Sequence, residues 1–253
     1  MERADRLIAQ FCEACRAAFG ANLVGVYLHG SAAMGCFQPE KSDIDLLVVV
    51  RDEPTDAQKR MFMDEVVLLN EEAPEKGIEM SVMQAAALRP FVHPAPYVLH
   101  FSPAHLDWYR RDPVDYVDKM KGLDPDLAAH CTIILHRGRA VCGQSIPEVF
   151  DPVRHEDYLD SILQDVAGAA EEIAGCPVYM ILNLCRVLAY AQEGLILSKR
   201  EGGEWGCAHL PQHAGLIAAA MEEYRTGVPA QIDLRQAEAF AQKMLRQIGE
   251  EGT

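Results

Sequence analysis

The sequence predicts an α+β protein in two parts: a small domain of mixed strands and helices over residues 1–150, followed by an α-helical bundle over residues 151–253. Three observations carry this reading. The β-rich apolar runs LVGVYLH (23–29), DLLVVV (45–50) and GIEMSVM (77–83) all fall in the first half. The second half holds four long segments of helical periodicity and almost no strand signal. Between them the stretch PEVFDPVRHED (147–157) breaks both patterns with two prolines and a run of charge.

Taken in order, residues 2–19 have the spacing of an amphipathic helix, and 23–29 reads as the first strand. Asp45 to Val50 is a buried strand that ends at the charged turn RDEPTD, after which TDAQKRMFMDEVVLLN (55–70) returns to helical spacing. GIEMSVM alternates as a third strand. FVHPAPYVLHFSPAH (91–105) is interrupted by prolines and reads as loop with a short strand at 97–101. Its histidines, His93, His100 and His105, fit no zinc spacing and are expected to face solvent. Residues 124–137 are helical. Further helices are predicted over 156–173, 178–192, 211–225 and 232–248, with Gly194 as a C-terminal stop and Gly227–Val228–Pro229 separating the last two.

Composition narrows the function. The formal net charge of −15 is the wrong sign for a protein that grips a phosphate backbone, so DNA and RNA are not expected partners. A cationic small molecule suits this charge, and a nucleotide that brings its own metal is compatible with it. No apolar run approaches the ~20 residues a membrane span needs, and the N-terminal stretch lacks the basic start and small-residue cleavage site of a secretory signal. A cytoplasmic protein with no membrane partner is expected. The eight cysteines are accordingly read as reduced. Cys12 and Cys15 form a C-x-x-C without a second pair, which reads as two small buried apolar residues of one helix face rather than a zinc or redox motif.

The chemistry concentrates in HGSAAMGCFQPEKSDIDLLVVV (29–50). Residues two apart on a strand point to the same side. Asp43 and Asp45 therefore aim their carboxylates at one place, while Ile44 turns into the core. Like charges so held stay ionised together only around a cation, or else share a proton. Carboxylate oxygens suit hard cations, above all Mg²⁺, which leaves its remaining positions to phosphate oxygens and water. Gly30 allows close backbone approach and Ser31 offers a hydroxyl and an N–H to a phosphate. Taken alone, D-x-D is also what a capped turn at a strand start produces. The ordered set, Gly-Ser after one strand and Ser-Asp-x-Asp opening the next, is far more restrictive and outlines a nucleotide site.

This segment resembles the G-S…D-x-D signature of the DNA polymerase β-like nucleotidyltransferase superfamily, and most closely the aminoglycoside nucleotidyltransferases that adenylylate spectinomycin and streptomycin. LNLCRVLAYAQEGLILSKREGGEWGCAHLP (182–211) is similar to the helical C-terminal domain of those enzymes, and FDPV (150–153) to the join between their domains. The resemblance implies Mg²⁺ as cofactor and ATP as co-substrate, with Asp43 and Asp45 as metal ligands. It implies Glu79, on the strand after them, as a third catalytic carboxylate able to take the acceptor's proton, with Glu75 a weaker contender. Gly30, Ser31, Ser42, Arg186 and Lys199 match nucleotide-contacting positions. For Arg186, within an apolar helix, phosphate binding and a structural ion pair both answer the need of a buried charge for a partner. Lys199 reads as a loop residue.

The acceptor region departs from the family pattern. Members that take streptomycin carry an acidic residue and a tryptophan there. This chain has Cys176 and Pro177 at the corresponding helix start, with Glu172 before them, and its Trp108 is displaced by several residues. Trp108 and Glu172 remain the candidate acceptor contacts, and spectinomycin or another aminocyclitol is favoured over streptomycin. Asp151, Glu156, Asp157, Asp160, Asp165, Glu171 and Glu172 face only Arg154 within their stretch, which suits either a cationic acceptor or a solvated acidic face. The alternative function is a nucleotidyltransferase-fold protein acting on a metabolite or another protein, or a nucleotide-binding module.

Overall fold

The computed structural model describes residues 2–251 and divides into two compact units, 1–157 and 158–253. The first unit runs α1 (Glu2–Phe19), β1 (Leu23–Leu28), α2 (Gly30–Ala33), β2 (Ile44–Val50), α3 (Asp56–Glu71), β3 (Ile78–Gln84), β4 (Ala95–Tyr97), β5 (Leu99–Phe101), α4 (Leu106–Arg111), α5 (Pro113–Lys119), β6 (Gly122–Asp124), α6 (Leu127–Arg137), β7 (Arg139–Gly143) and α7 (Ile146–Val149). Five strands form a mixed sheet in the order β5-β3-β2-β1-β7. β2 and β3 are parallel, as the α3 crossover between them requires, and the other neighbours are antiparallel. β4 and β6 make a separate two-stranded ladder.

The sheet is buried on both faces, and the sequence alternation decides what lies where. Val26, Leu28, Ile44, Leu46, Val48, Ile78, Met80 and Val82 share one core with α1 and α3, where Phe11 and Phe19 pack their rings on Phe62. Tyr27, Leu47, Val49 and Met83 share the other with Leu127, Cys131 and Ile134 of α6. α3 starts where Thr55 and Gln58 close a capping box. In β2 every residue but Asp45 is buried, so the strand is a rigid mount for that one carboxylate.

The second unit is helical: the end of α8 (His155–Gln164), then α9 (Ala169–Glu172), α10 (Pro177–Glu193), α11 (Lys199–His209), α12 (Ala214–Thr226) and α13 (Leu234–Glu251). α10 is its axis, with Met180 to Cys185 and Val187 to Tyr190 buried. It ends at Gly194 in the left-handed conformation, φ +68°. Gly202, Gly203 and Gly206 let α11 lie close against α10 and α12: a Cβ on Gly206 would meet Cys185 Sγ at 2.6 Å. Among the described residues no helix is long and apolar enough to cross a membrane.

Several expectations are corrected. The strand expected at 97–101 is two strands broken at Val98, and residues 106–119, to which no element was assigned, form α4 and α5. β7 gave no strand signal, being short, largely exposed and at the sheet edge, and only its pairing with β1 makes it a strand. The helix expected over 156–173 is interrupted between Gln164 and Ala169. α11 replaces the loop expected around Lys199. Its glycines hide a helix from propensity, and the packing they permit recovers it.

Candidate functional site

β1 and β2 run antiparallel, so the turn after β1 comes back beside the start of β2. The backbone N–H of His29 donates to the carbonyl of Asp45 at 3.1 Å. Gly30 follows at φ +57°, opening the short helix α2, and Asp45 Oδ2 lies over it so closely that a Cβ there would stand 1.7 Å away. A side chain at this position is excluded both by the positive φ and by the carboxylate. On the other side, the parallel register sets Asp45 opposite Glu79 of β3. Asp43, one residue before β2, completes the group. One carboxylate oxygen each from Asp43, Asp45 and Glu79 lie within 4.8 Å of one another, all three side chains half-buried. Ile44 is wholly buried beneath them. Glu75 stands exposed in the turn before β3, outside the trio.

Three oxygen donors this close suit a hard divalent cation such as Mg²⁺. Burial pushes the Glu79 carboxyl above its ordinary value, with Asp43, Asp126 and Asp124 adding to the effect and His130 opposing it. Two residues not singled out in the sequence face this group. His130 of α6 pairs with Asp126 one turn earlier, Nε2 to Oδ2 3.1 Å. Burial works against its charge, but Asp126, Glu79 and Asp45 outweigh that and raise it to about 9. A protonated His130 offsets part of the repulsion among the carboxylates. His29 lies buried with its ring centroid 4.5 Å from that of His130, and burial, with His130 beside it, keeps it neutral. The Asp126–His130 pair was visible as a D-x-x-x-H spacing in a predicted helix. Nothing in the sequence said which way that helix faced.

The Ser31 hydroxyl is enclosed beside this turn without a hydrogen-bond partner, a donor available to a ligand oxygen. Ser42 is buried and its hydroxyl accepts from the Gln38 N–H at 3.0 Å, closing the loop that leads into Asp43. Two residues beyond Glu79, Ser81 bonds His100 Nδ1 at 3.0 Å. Burial, with His105 nearby, lowers His100 to about 4. His93, His100 and His105 are half-buried, correcting the expectation that they face solvent.

The remaining candidates sit as follows. Trp108, on α4, donates its indole N–H to Asp115 at 3.0 Å and packs edge-on to Tyr116. Glu172 is exposed at the end of α9. In the helical unit, Arg186 donates to the Leu197 carbonyl at 2.8 Å and to Asn183 Oδ1 at 2.9 Å, and lines a small cavity with Tyr158 and Asp165. Lys199 is the first residue of α11, with Nζ 4.3 Å from the centre of the Tyr179 ring. The acidic stretch is less free than its sequence suggested: Asp151 pairs with Arg89 at 2.8 Å and Asp157 with Arg154 at 2.7 Å.

Comparison with known proteins adds to this geometry. A family profile described as "Nucleotidyltransferase domain" matches residues 8–85, and one described as "Aminoglycoside adenylyltransferase, C-terminal domain" matches residues 148–247. An aminoglycoside (3'') (9) adenylyltransferase of Klebsiella pneumoniae is 27% identical over 209 residues, spanning 80% of this chain and 78% of its own. A spectinomycin 9-adenylyltransferase of Staphylococcus aureus is 26% identical over 82% of this chain and 80% of its own. A crystal structure of the spectinomycin adenyltransferase of Enterococcus faecalis, with ATP and spectinomycin, superposes with a TM-score of 0.79 over 96% of this chain and 98% of its own, at 19% identity. That likeness establishes a shared fold.

Proposed function

From a chain that belongs to the aminoglycoside adenylyltransferases of the nucleotidyltransferase superfamily, we infer an enzyme that transfers AMP from Mg-ATP to a hydroxyl of an aminocyclitol antibiotic and releases pyrophosphate, with spectinomycin favoured over streptomycin. The observation that carries this reading is the Asp43–Asp45–Glu79 trio gathered against the Gly30–Ser31 turn. A relative solved with ATP and spectinomycin supports the choice of co-substrate and acceptor. The departure from the streptomycin pattern around Cys176 and Trp108 supports the preference between acceptors.

Residues 1–150 carry the chemistry. Asp43 and Asp45 would hold Mg²⁺, which when bound polarises phosphate oxygens and stabilises charge in an in-line displacement. Glu79 takes the proton of the attacking hydroxyl, and its raised pKa makes it a better base than an exposed carboxylate. Gly30 leaves room for Asp45 at the turn, and the unpartnered Ser31 hydroxyl donates to a phosphate oxygen. Ser42 holds the loop entering Asp43. Arg186 and Lys199, in the helical region 151–253, are assigned to the nucleotide, and Trp108 and Glu172 to the acceptor. The setting is the cytoplasm, where ATP is held.

The test is pyrophosphate release from ATP across a panel of aminoglycosides and aminocyclitols. Release with spectinomycin and none with streptomycin is expected. Silence across the panel, with ATP still bound, would move the acceptor to another metabolite or a protein.

A further inference from the structure

Within the helical unit, α10 buries one amide among apolar side chains. Asn183 is 1% exposed, and Leu182, Leu184 and Cys185 beside it are wholly buried. An amide in such a place costs stability unless both its ends find partners. Its oxygen has one: Arg186 Nη1 donates to Oδ1 at 2.9 Å. A guanidinium only donates, so this bond fixes which end of the amide faces Arg186. The other end, Nδ2, is buried without a hydrogen-bond partner.

Asn183 and Arg186 also wall a cavity of about 10 Å³ between α8 and α10, room for one water molecule. Tyr158 and Ile162 line it from α8 and Asp165 from just beyond that helix, facing Asn183, Arg186 and Val187 on one side of α10. Tyr158 is fixed there by packing its ring edge-on to Tyr190, with centroids 4.5 Å apart. The lining thus pairs a buried donor that has no partner, Asn183 Nδ2, with the acceptor oxygens of Asp165. Arg186 carries the consequence further along the chain. Its Nε donates to the Leu197 carbonyl at 2.8 Å. The next residue, Ser198, caps α11 in a capping box with Glu201, and Lys199 opens that helix. Anchored through Nε and Nη1, the guanidinium keeps Nη2 for a ligand.

We propose that one water molecule is bound in this cavity, accepting from Asn183 Nδ2 and donating to Asp165, and that Asn183 so held is a positioning residue for Arg186. The role rests on the assignment of Arg186 to the nucleotide made above. The bridging water satisfies the amide nitrogen and stops the amide from rotating, which keeps Oδ1 against Arg186. Held at Leu197 and Asn183, the guanidinium keeps its plane and presents Nη2 to a phosphate oxygen. Without Asn183 it turns about its flexible stem and has to be ordered each time the nucleotide binds.

The experiment has two arms, both on the full-length protein. Crystals that diffract well enough to show ordered water should place one water within hydrogen-bond reach of Asn183 Nδ2, about 2.7–3.2 Å. Calorimetry with Mg-ATP then compares Asn183→Leu, Asn183→Asp and Arg186→Met, with a thermal melt of each. Asn183→Leu removes both ends of the amide and should weaken Mg-ATP binding ~10-fold, the order of a lost hydrogen bond to a charged group. In Asn183→Asp an oxygen still meets Arg186 and the water turns to donate to both carboxylates, so affinity should return close to that of the wild type. A dry cavity overturns the proposal, and so does an unchanged affinity in Asn183→Leu where Arg186→Met weakens it. Unchanged affinity in Arg186→Met would instead remove Arg186 from the nucleotide, and the positioning role with it. The crystal arm uses no variant, so it decides the water site even if Asn183→Leu does not fold.

Discussion

Asp45 Oδ2 occupies the space that a side chain on residue 30 would need, 1.7 Å from where a Cβ on Gly30 would sit. The Gly30–Ser31 turn and the carboxylate trio are thus mechanically one object. Gly30→Ala should strain a backbone at φ +57°, costing about 1 kcal/mol, and push Asp45 out of the trio. A displacement near 1 Å is enough to lower turnover ~100-fold. Steady-state kinetics beside a thermal melt separates the two effects. Near-normal turnover with an unchanged melt would show that Asp45 need not stand where it does.

Removing charge from the trio should divide its members by role. Asp45→Asn should abolish measurable adenylyl transfer and weaken the Mg²⁺ dependence of ATP binding. Glu79→Gln should lower kcat by ~10²–10⁴-fold, the usual worth of a general base, while calorimetry still detects Mg-ATP binding. In the wild type, kcat should fall as pH drops through a value above 4.5, because burial has raised the Glu79 carboxyl. Full activity in Glu79→Gln would remove it as the base.

Asp126 and His130 make a stability prediction whose sign is fixed. The folded pKa of His130, about 9, exceeds the ordinary 6.5. Its contribution is therefore fully present below pH ~6.5 and is lost as pH rises through about 9. Asp126→Asn should destabilise the metal-free protein at pH 6 and much less at pH 9.5, read by urea melts in chelator. An NMR titration should find His130 protonated at pH 7.5 in the wild type and not in the variant. Equal destabilisation at the two pH values would exclude the pair as the source.

Gly202 on α11 lies against the stem of Arg186: a Cβ there would meet Arg186 Cγ at 2.6 Å and its backbone N at 3.2 Å. Gly202→Ala gains about 1 kcal/mol of helix propensity, which offsets part of the crowding, so the melt should move little. The displaced guanidinium should weaken ATP binding ~10-fold, the order of a lost hydrogen bond to a charged group. Unchanged ATP affinity in a folded Gly202→Ala would take Arg186 out of the nucleotide site.

Much of the architecture was legible because its signals are local. The buried strands β1, β2 and β3 announced themselves as apolar runs, and α3, α10, α12 and α13 by period and stop residues. What escaped was set by pairing and packing. β7 is short and largely exposed and is a strand only because β1 offers it a partner. α11 carries three glycines that lower its propensity yet admit its neighbours. The half-buried histidines look like loop residues until Ser81 is found opposite His100.

By itself the sequence determined the two-part α+β plan and the shared side of Asp43 and Asp45, since the alternation of a strand and the period of a helix are properties of consecutive residues. Only the tertiary structure decided that Glu79 rather than Glu75 joins the pair, and that Asp126 and His130 stand behind it. Those relationships join residues distant along the chain, and their distances follow from sheet register and helix packing, which no local pattern encodes.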